Sequence, residues 1–272
     1  PGLYRAEFSG AAADRLRPRI AETVRALWKI YVALTGLLWL ALWAAGMTAF
    51  EAFCHALSTL ASGGFSTHTA SIGAWQSPLI EYIVILFMFA AGVSFVQHYR
   101  LWVQRDYRVA LRDLEFRAYV GILLLATVLI LAARLPGLLA AGDGLAGWEP
   151  WLRATAFQVI SITTTTGFAT ADYTQWPPLA QMLLLVLMFI GGCTGSTAGG
   201  LKTARMLLML RVIGREFARI TEPRGVFRIR MDGHAVSESA ISGLLTIIYL
   251  GWLVLLLGTL VLTATGVDVL TA

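Results

Sequence analysis

Charged side chains are scarce in this sequence. Only 14% of its 272 residues are Asp, Glu, Lys or Arg, against roughly a quarter in soluble domains. A water-soluble globule of this size needs more polar surface than that to cover its core. The shortage excludes a disordered chain and an ordinary soluble enzyme. Cysteine is nearly absent as well. Cys54 and Cys193 lie far apart in apolar surroundings, which excludes a disulfide scaffold and reads as two buried thiols. Of the four histidines, His68, His98 and His234 have no metal-ligand spacing. No nucleophile–base arrangement and no phosphate-binding loop occurs, so an enzyme is not expected and no catalytic residue is assigned. The sequence lacks an initiator methionine and a signal peptide, and the expectation is a piece of something longer.

What is present is apolar: 57% of the residues are hydrophobic. Five stretches hold no Asp, Glu, Lys or Arg: Ile30–Phe50, Tyr82–Tyr99, Ala118–Ala133, Tyr173–Leu201 and Ser239–Val267. Leu, Ala, Ile, Val and Trp dominate them without strand-like alternation, so they read as helices. About twenty such residues cross a bilayer. The fold class expected is an all-α polytopic membrane protein, with lipid as its surroundings.

The positive charges orient it. Six Lys/Arg precede the first stretch, five lie between the second and third, and eight between the fourth and fifth. Only Arg134 and Arg153 fall on the other side. A net charge of +5 would suggest nucleic acid in a soluble protein. Alternation with every span instead marks one face as cytoplasmic, and no nucleic-acid partner is expected.

The outer connections are not ordinary loops. Thr48–Leu60 is an apolar helical pattern opened by Thr48 and Glu51 at capping-box spacing. Its thirteen residues rise about 20 Å, too short for a hydrocarbon core of about 30 Å. The glycine-rich run Ala61-Ser62-Gly63-Gly64-Phe65-Ser66-Thr67 follows. The second connection repeats the design, with Trp151–Ile162 followed by Thr163-Thr164-Thr165-Thr166-Gly167-Phe168-Ala169-Thr170. At an offset of 103 residues Ser58 falls on Ser161, Gly64 on Gly167, Phe65 on Phe168 and Thr67 on Thr170. The chain thus contains an internal repeat of span, short helix, loop and span, a plan found in channels and transporters.

Ion dehydration gives such a unit its chemistry. A cation entering a pore must exchange water for other oxygens, and backbone carbonyls supply them without net charge. Glycine permits the angles that turn successive carbonyls to one axis. The C-terminal end of each short helix favours a cation. Irregular backbone at membrane depth is tolerated where it lines water or is buried in protein. The alternative is a polar extracellular loop carrying a short surface helix, and two in-register copies weigh against it.

The fourth stretch contains a break. Leu179–Ile190 is a half-span that runs into Gly191-Gly192-Cys193-Thr194-Gly195-Ser196-Thr197-Ala198-Gly199-Gly200 before Leu201–Ile213 resumes helical character. Glycine costs roughly 1 kcal/mol per residue in a helix interior, so the helix should break here, near mid-membrane. Two readings stand: a flexible gate across a permeation path, or a crossover where glycines let helices touch.

The segments LASGGFST at 60–67, TTTTGFAT at 163–170 and GGCTGSTAGGLK at 191–202 resemble the Trk/Ktr/HKT superfamily of potassium transporters. They are most similar to its TrkH-type membrane subunits. Leu3-Tyr4-Arg5-Ala6-Glu7 and Ala26-Leu27-Trp28-Lys29-Ile30-Tyr31 also resemble that subfamily. The resemblance runs over essentially the whole sequence. It implies potassium uptake across the bacterial inner membrane, through a single-chain pore of four helix–pore helix–helix repeats. The transported potassium ion is the implied ligand, with no organic cofactor.

By the same resemblance, residues 1–19 are a cytoplasmic segment, 20–105 the second repeat and 106–115 a linker. Residues 116–215 are the third repeat with its broken inner helix, 216–238 a second linker and 239–272 the first helix of the fourth repeat. The filter then maps to Ser62, Gly63, Gly64 and Phe65, and to Thr165, Thr166, Gly167 and Phe168. Potassium is held through Ser62, Gly63, Thr165 and Thr166. The gating loop maps to Gly191, Gly192, Thr194, Gly195, Ser196, Thr197, Gly199 and Gly200. Implied partners are a TrkA-type cytosolic nucleotide-binding regulatory subunit and a second copy in a homodimer. Rival readings are a sodium-dependent Ktr-like transporter and a non-conducting membrane scaffold.

Four further features have open alternatives. Lys202 offers charge to the cytoplasmic side of the pore or acts as a positive anchor. His55, on the first short helix, reads as a hydrogen-bonded structural histidine. Glu81 attracts cations or simply solvates a helix end. In the linker Glu216–Glu238, the alternation Val226–Met231 and the turn signal Asp232-Gly233 suggest a short hairpin, its basic surface facing a partner or lipid headgroups.

Overall fold

The computed structural model describes residues 20–141, 147–222, 225, 227–231 and 234–266. The N-terminal segment 1–19, with Leu3–Glu7, lies outside them, as do Val226 and the Asp232-Gly233 turn. The chain divides into two compact units, one up to Ala204 and one from Arg205.

In the first unit, α1 (Ile20–Ala44) packs on α2 (Ala49–Leu60). Ile30, Leu34, Leu38 and Leu42 recur every four residues and form one buried stripe. They meet Ala52, Ala56 and Leu60 of α2 and Val84, Met88 and Ala91 of α3 (Pro78–Gly92) in a single core. Val32, Leu40 and Trp43 of α1 face outward, as a helix bordered by lipid requires. The Thr48 hydroxyl accepts from the Glu51 amide at 3.3 Å, and the Glu51 carboxylate accepts from the Thr48 amide at 3.1 Å. This is the capping box expected from the sequence.

The second apolar stretch departs from expectation. It is not one helix: α3 ends at Gly92, α4 (Phe95–Trp102) begins after two intervening residues, and the two are bent by 103°. Val93 is extended, with φ −84° and ψ 145°. The freed backbone groups have partners elsewhere. Gly92 O accepts from Cys193 N at 2.8 Å, and Phe95 N donates to Gly195 O at 3.0 Å.

After α5 (Tyr107–Arg112), α6 (Leu114–Ala141) runs well past the expected Ala118–Ala133. It takes in Arg134, whose charge had ended the apolar run. The guanidinium is buried, 4.4 Å from the Trp151 ring and 3.9 Å from the Trp176 ring. It also donates to the Thr155 hydroxyl at 2.5 Å. Trp151 and Thr155 belong to α7 (Trp148–Thr163), the second short helix. The other outer arginine, Arg153, also holds α7. It donates to Glu81 of α3 at 2.9 Å and pairs with Glu149. Glu81 is therefore buried in an ion pair, which replaces both the cation-attracting and the solvated-end readings.

α8 (Pro178–Ile190) starts on a proline at the first helical position, where no amide is missed. It is a half-span of 13 residues, ending at Gly191 with φ +79°. Helix resumes as α9 (Thr203–Thr221).

In the second unit, Leu208 and Val212 of α9 pack with Ile229 and with Ile241 and Leu244 of α10 (Glu238–Ala264). Arg215 donates to Glu238 at 2.6 Å. β1 (Arg230–Met231) pairs antiparallel with β2 (His234–Ala235), as the alternation suggested. Among the described residues α1, α6 and α10 are long and apolar enough to cross a membrane, and bent α3–α4 supplies a fourth span if counted as one. The chain is an all-α multi-pass membrane protein apart from that hairpin.

Replacing Arg153 by Leu leaves Glu81 without its partner at a site where both side chains keep little exposure. The expected loss is about 2–3 kcal/mol, below the range for fully buried pairs. It is read as a lower unfolding midpoint of the full-length protein in detergent. Arg153→Leu with Glu81→Leu should recover most of it, whereas a double variant as weak as the sum of the two single ones would show no coupling.

Candidate functional site

The two loops that follow α2 and α7 have the same backbone. Ala61 N donates to Leu57 O at 3.0 Å, and its equivalent Thr164 N to Ile160 O at 2.9 Å. Ser62 N to Thr59 O is 3.1 Å, and Thr165 N to Ile162 O is 3.0 Å. Gly63 N to Ser58 O is 2.8 Å, and Thr166 N to Ser161 O is 2.9 Å. Every pair is offset by the repeat spacing. The left-handed positions coincide too: φ is +54° at Ser62 and +56° at Thr165, then +68° at Gly64 and +83° at Gly167. A serine and a threonine held in that region are strained and persist only where the surroundings over-determine them.

The loops meet each other. A Cβ on Gly64 would lie 1.9 Å from Thr166 O, so only glycine allows this approach. Their onward segments are joined as well, with Gly73 N donating to Ala169 O at 3.2 Å and Ala169 N to the Ser71 hydroxyl at 3.2 Å.

The side chains of the two copies differ in their surroundings. Phe168 is 1% exposed and Phe65 is 82% exposed. Phe168 sits against the His55 ring, with centroids 5.8 Å apart, and its carbonyl accepts from the Ser161 hydroxyl at 2.7 Å. Ser58, the counterpart of Ser161, has a buried hydroxyl with no partner among the described residues.

His55 has the structural role read from the sequence. Its Nδ1 lies 2.7 Å from Glu51 O and its Nε2 2.9 Å from the Ser66 hydroxyl. The carbonyl can only accept, so Nδ1 carries the proton and Nε2 accepts from Ser66 in the neutral ring. His68 Nε2 is 2.7 Å from the Glu51 carboxylate. That hydrogen bond, followed by those from Thr48, holds the Glu51 carboxyl down at about 2. The residues after Phe65 are thereby tied to the start of α2.

From Gly191 to Lys202 the backbone is not helical. Its ends are pressed together: a Cβ on Gly191 would lie 2.2 Å from Gly199 O. Thr203 closes the base, its amide donating to Gly192 O at 2.9 Å. Lys202 turns its ammonium into the segment, donating to Ser196 O at 3.4 Å and to Ala198 O.

This segment reaches both loops at equivalent residues. Gly199 N donates to the Thr165 hydroxyl at 2.6 Å, and the Thr197 hydroxyl lies 3.2 Å from that of Ser62. It also engages the break between α3 and α4 through Cys193, Gly195 and Thr197, whose hydroxyl donates to Ala91 O at 3.2 Å. The structure thus brings together Ser62, Gly64, Thr165 and Thr166 with Thr197 and Gly199. The Phe65 side chain is exposed. The Glu115 carboxylate, which accepts from Thr194 N at 2.6 Å, carried no recognisable sequence signal. Among the described residues no group of three or more His, Cys, Asp or Glu could hold a metal ion.

Comparison with known proteins follows the same lines. The TrkH family model, described as a cation transport protein, matches residues 2–272. The Trk system potassium uptake protein TrkH of Salmonella typhimurium is 41% identical over 98% of this chain and 54% of its own length. That of Escherichia coli K12 is 40% identical over 98% of this chain and 54% of its own length. The crystal structure of the potassium transporter TrkH from Vibrio parahaemolyticus superposes with a TM-score of 0.84 at 36% identity, over 93% of this chain and 53% of that one. The chain spans about half the length of the curated relatives it matches.

Two alanine substitutions test the contact between the loops. Gly64→Ala drives its Cβ into Thr166 O, whereas Gly167→Ala meets nothing within 4 Å. The second carries only the left-handed penalty, about 1–2 kcal/mol. Gly64→Ala should therefore lower the unfolding midpoint of the full-length protein clearly more than Gly167→Ala. Equal losses would contradict the close approach.

Proposed function

The chain belongs to the TrkH family of cation transport proteins, and from that premise we propose that it takes part in potassium uptake across the bacterial inner membrane. Relatives that match nearly all of it are named potassium uptake proteins. The observation that carries the reading is the pair of loops with one backbone conformation, touching at Gly64 and Thr166 and both hydrogen-bonded to the glycine-rich segment.

Each loop alternates left-handed residues with ordinary ones, at Ser62 and Gly64 and at Thr165 and Gly167. Such alternation turns successive peptide groups to one side, which suits a column of carbonyl oxygens replacing the water of a potassium ion. Residues 62–65 and 165–168 are the filter walls this chain contributes, with Ser62, Gly63, Thr165 and Thr166 as ion ligands. The C-terminal ends of α2 and α7 add partial negative charge at the loops. Neither loop contains an ionised side chain, so a passing ion is stabilised without being trapped by a full opposite charge.

Residues 191–200 act as the gate. Their bonds to Ser62 and Thr165 occupy the hydroxyls that begin each filter segment, and those bonds must part for the path to open. The packing-crossover reading fits less well, because no helix continues through these glycines. The repeats extend over 20–105 and 116–215, with 239–272 opening a further one. A homodimer and a TrkA-type cytosolic subunit are the partners that the family resemblance implies.

Rubidium flux into proteoliposomes holding the full-length protein tests both parts. Gly167→Ser fits the open space sterically and disturbs only the left-handed backbone, so potassium-over-sodium selectivity should fall about tenfold, the equivalent of some 1.4 kcal/mol. An internal deletion within Gly191–Gly200 should leak. No potassium flux, or a serine variant with unchanged selectivity, would overturn the carbonyl-filter reading in favour of a scaffold. Flux that requires sodium would point to the Ktr-like alternative.

A further inference from the structure

Glu115 stands in the first turn of α6. Its Oε1 accepts two backbone amides from another part of the fold: Thr194 N at 2.6 Å and Ala204 N at 3.1 Å. Thr194 lies within the glycine-rich segment, and Ala204 is the second residue of α9. One oxygen therefore binds both the segment and the start of the helix that follows it.

The chemistry of these two bonds differs from that of the segment's contacts with the two loops and with α3–α4. The segment meets the pore-type loops and α3–α4 through hydroxyls, amides and carbonyls, all neutral. Glu115 instead offers a carboxylate, and hydrogen bonds to an ionised acceptor are roughly twice as strong as neutral ones. Both partners are donors, which suits the acceptor-only ionised form. Ala204 N is also among the first amides of α9, which have no partner inside the helix and carry its positive end. The Glu115 oxygen supplies the partner that Ala204 N lacks within α9.

We propose that Glu115 is a positioning residue: its carboxylate latches the glycine-rich segment against the two filter loops and ties that segment to the first turn of α9. This rests on reading residues 191–200 as a gate. Release of Thr194 and release of Ala204 from the shared oxygen then go together, so a shift of the first turn of α9 loosens the loop. Glu115 does not reach the ion path itself and acts through the loop.

Cys193, next to Thr194, supplies a readout independent of transport. It is fully buried, and its amide is bonded to Gly92 O. The test uses the full-length protein in proteoliposomes with Cys193 as its sole cysteine, Cys54 and every other cysteine being replaced by Ser. Labelling of Cys193 by a membrane-permeant maleimide is compared in the parent, Glu115→Gln and Glu115→Ala.

Loss of a charge-assisted bond should speed labelling about tenfold in the alanine variant. The glutamine variant keeps a carbonyl acceptor and should fall between. Rubidium flux should rise in the same order, with potassium-over-sodium selectivity unchanged because the filter is untouched. If the alanine variant does not fold, the glutamine variant decides alone. Cys193 as protected in that variant as in the parent overturns the latch. Faster labelling with unchanged flux supports the latch and overturns the gate reading beneath it.

Discussion

A backbone amide or carbonyl that leaves a helix inside a bilayer must find its partner within the protein, because hydrocarbon offers none. The first unit of this chain is organised by that constraint. It breaks regular structure at membrane depth in several places, and the breaks answer one another. The carbonyls of Ala91 and Gly92, freed where α3 ends, accept from Thr197 and Cys193. Phe95 N, freed where α4 starts, donates to Gly195 O. Gly199 N finds the Thr165 hydroxyl, and Thr194 N and Ala204 N find Glu115. Each irregular segment is stable only because the others are irregular beside it.

Charge is used on the same principle. Both outer arginines are spent on α7, Arg134 between two tryptophan rings and Arg153 on Glu81 and Glu149. The start of α2 is secured differently, by Glu51 shared among Thr48 and His68. The short helices are therefore anchored by polar groups at their outer ends, while their C-terminal loops carry no ionised side chain. That division keeps full charges out of the two loops and concentrates the ion pairs at the outer ends of the short helices.

Much of this was legible in the residues. The repeat at an offset of 103 announced two equivalent loops, and their left-handed positions and the three backbone hydrogen bonds that open them coincide residue for residue. Thr48 and Glu51 announced a capping box, and five glycines in ten residues announced a broken helix. These signals are local, and local chemistry decides them. What stayed hidden depends on distant partners. Nothing in Gly92-Val93-Ser94 demands a 103° bend; the bend persists because the glycine-rich segment takes up the freed groups. Arg134 and Glu81 read as the ends of spans, since burial of a charge cannot be inferred without its partner. Phe65 and Phe168 hold equivalent positions, yet only Phe168 has α2 to pack against.

The central claim is that the two loops present backbone oxygens to a dehydrated potassium ion. Its most direct test is a structure of the full-length protein in rubidium, with the ion located by its anomalous scattering. Rubidium peaks bounded by the carbonyl oxygens of Ser62, Gly63, Thr165 and Thr166 are the expected result. Rubidium bound only elsewhere in the protein, with none between these two loops, would contradict it.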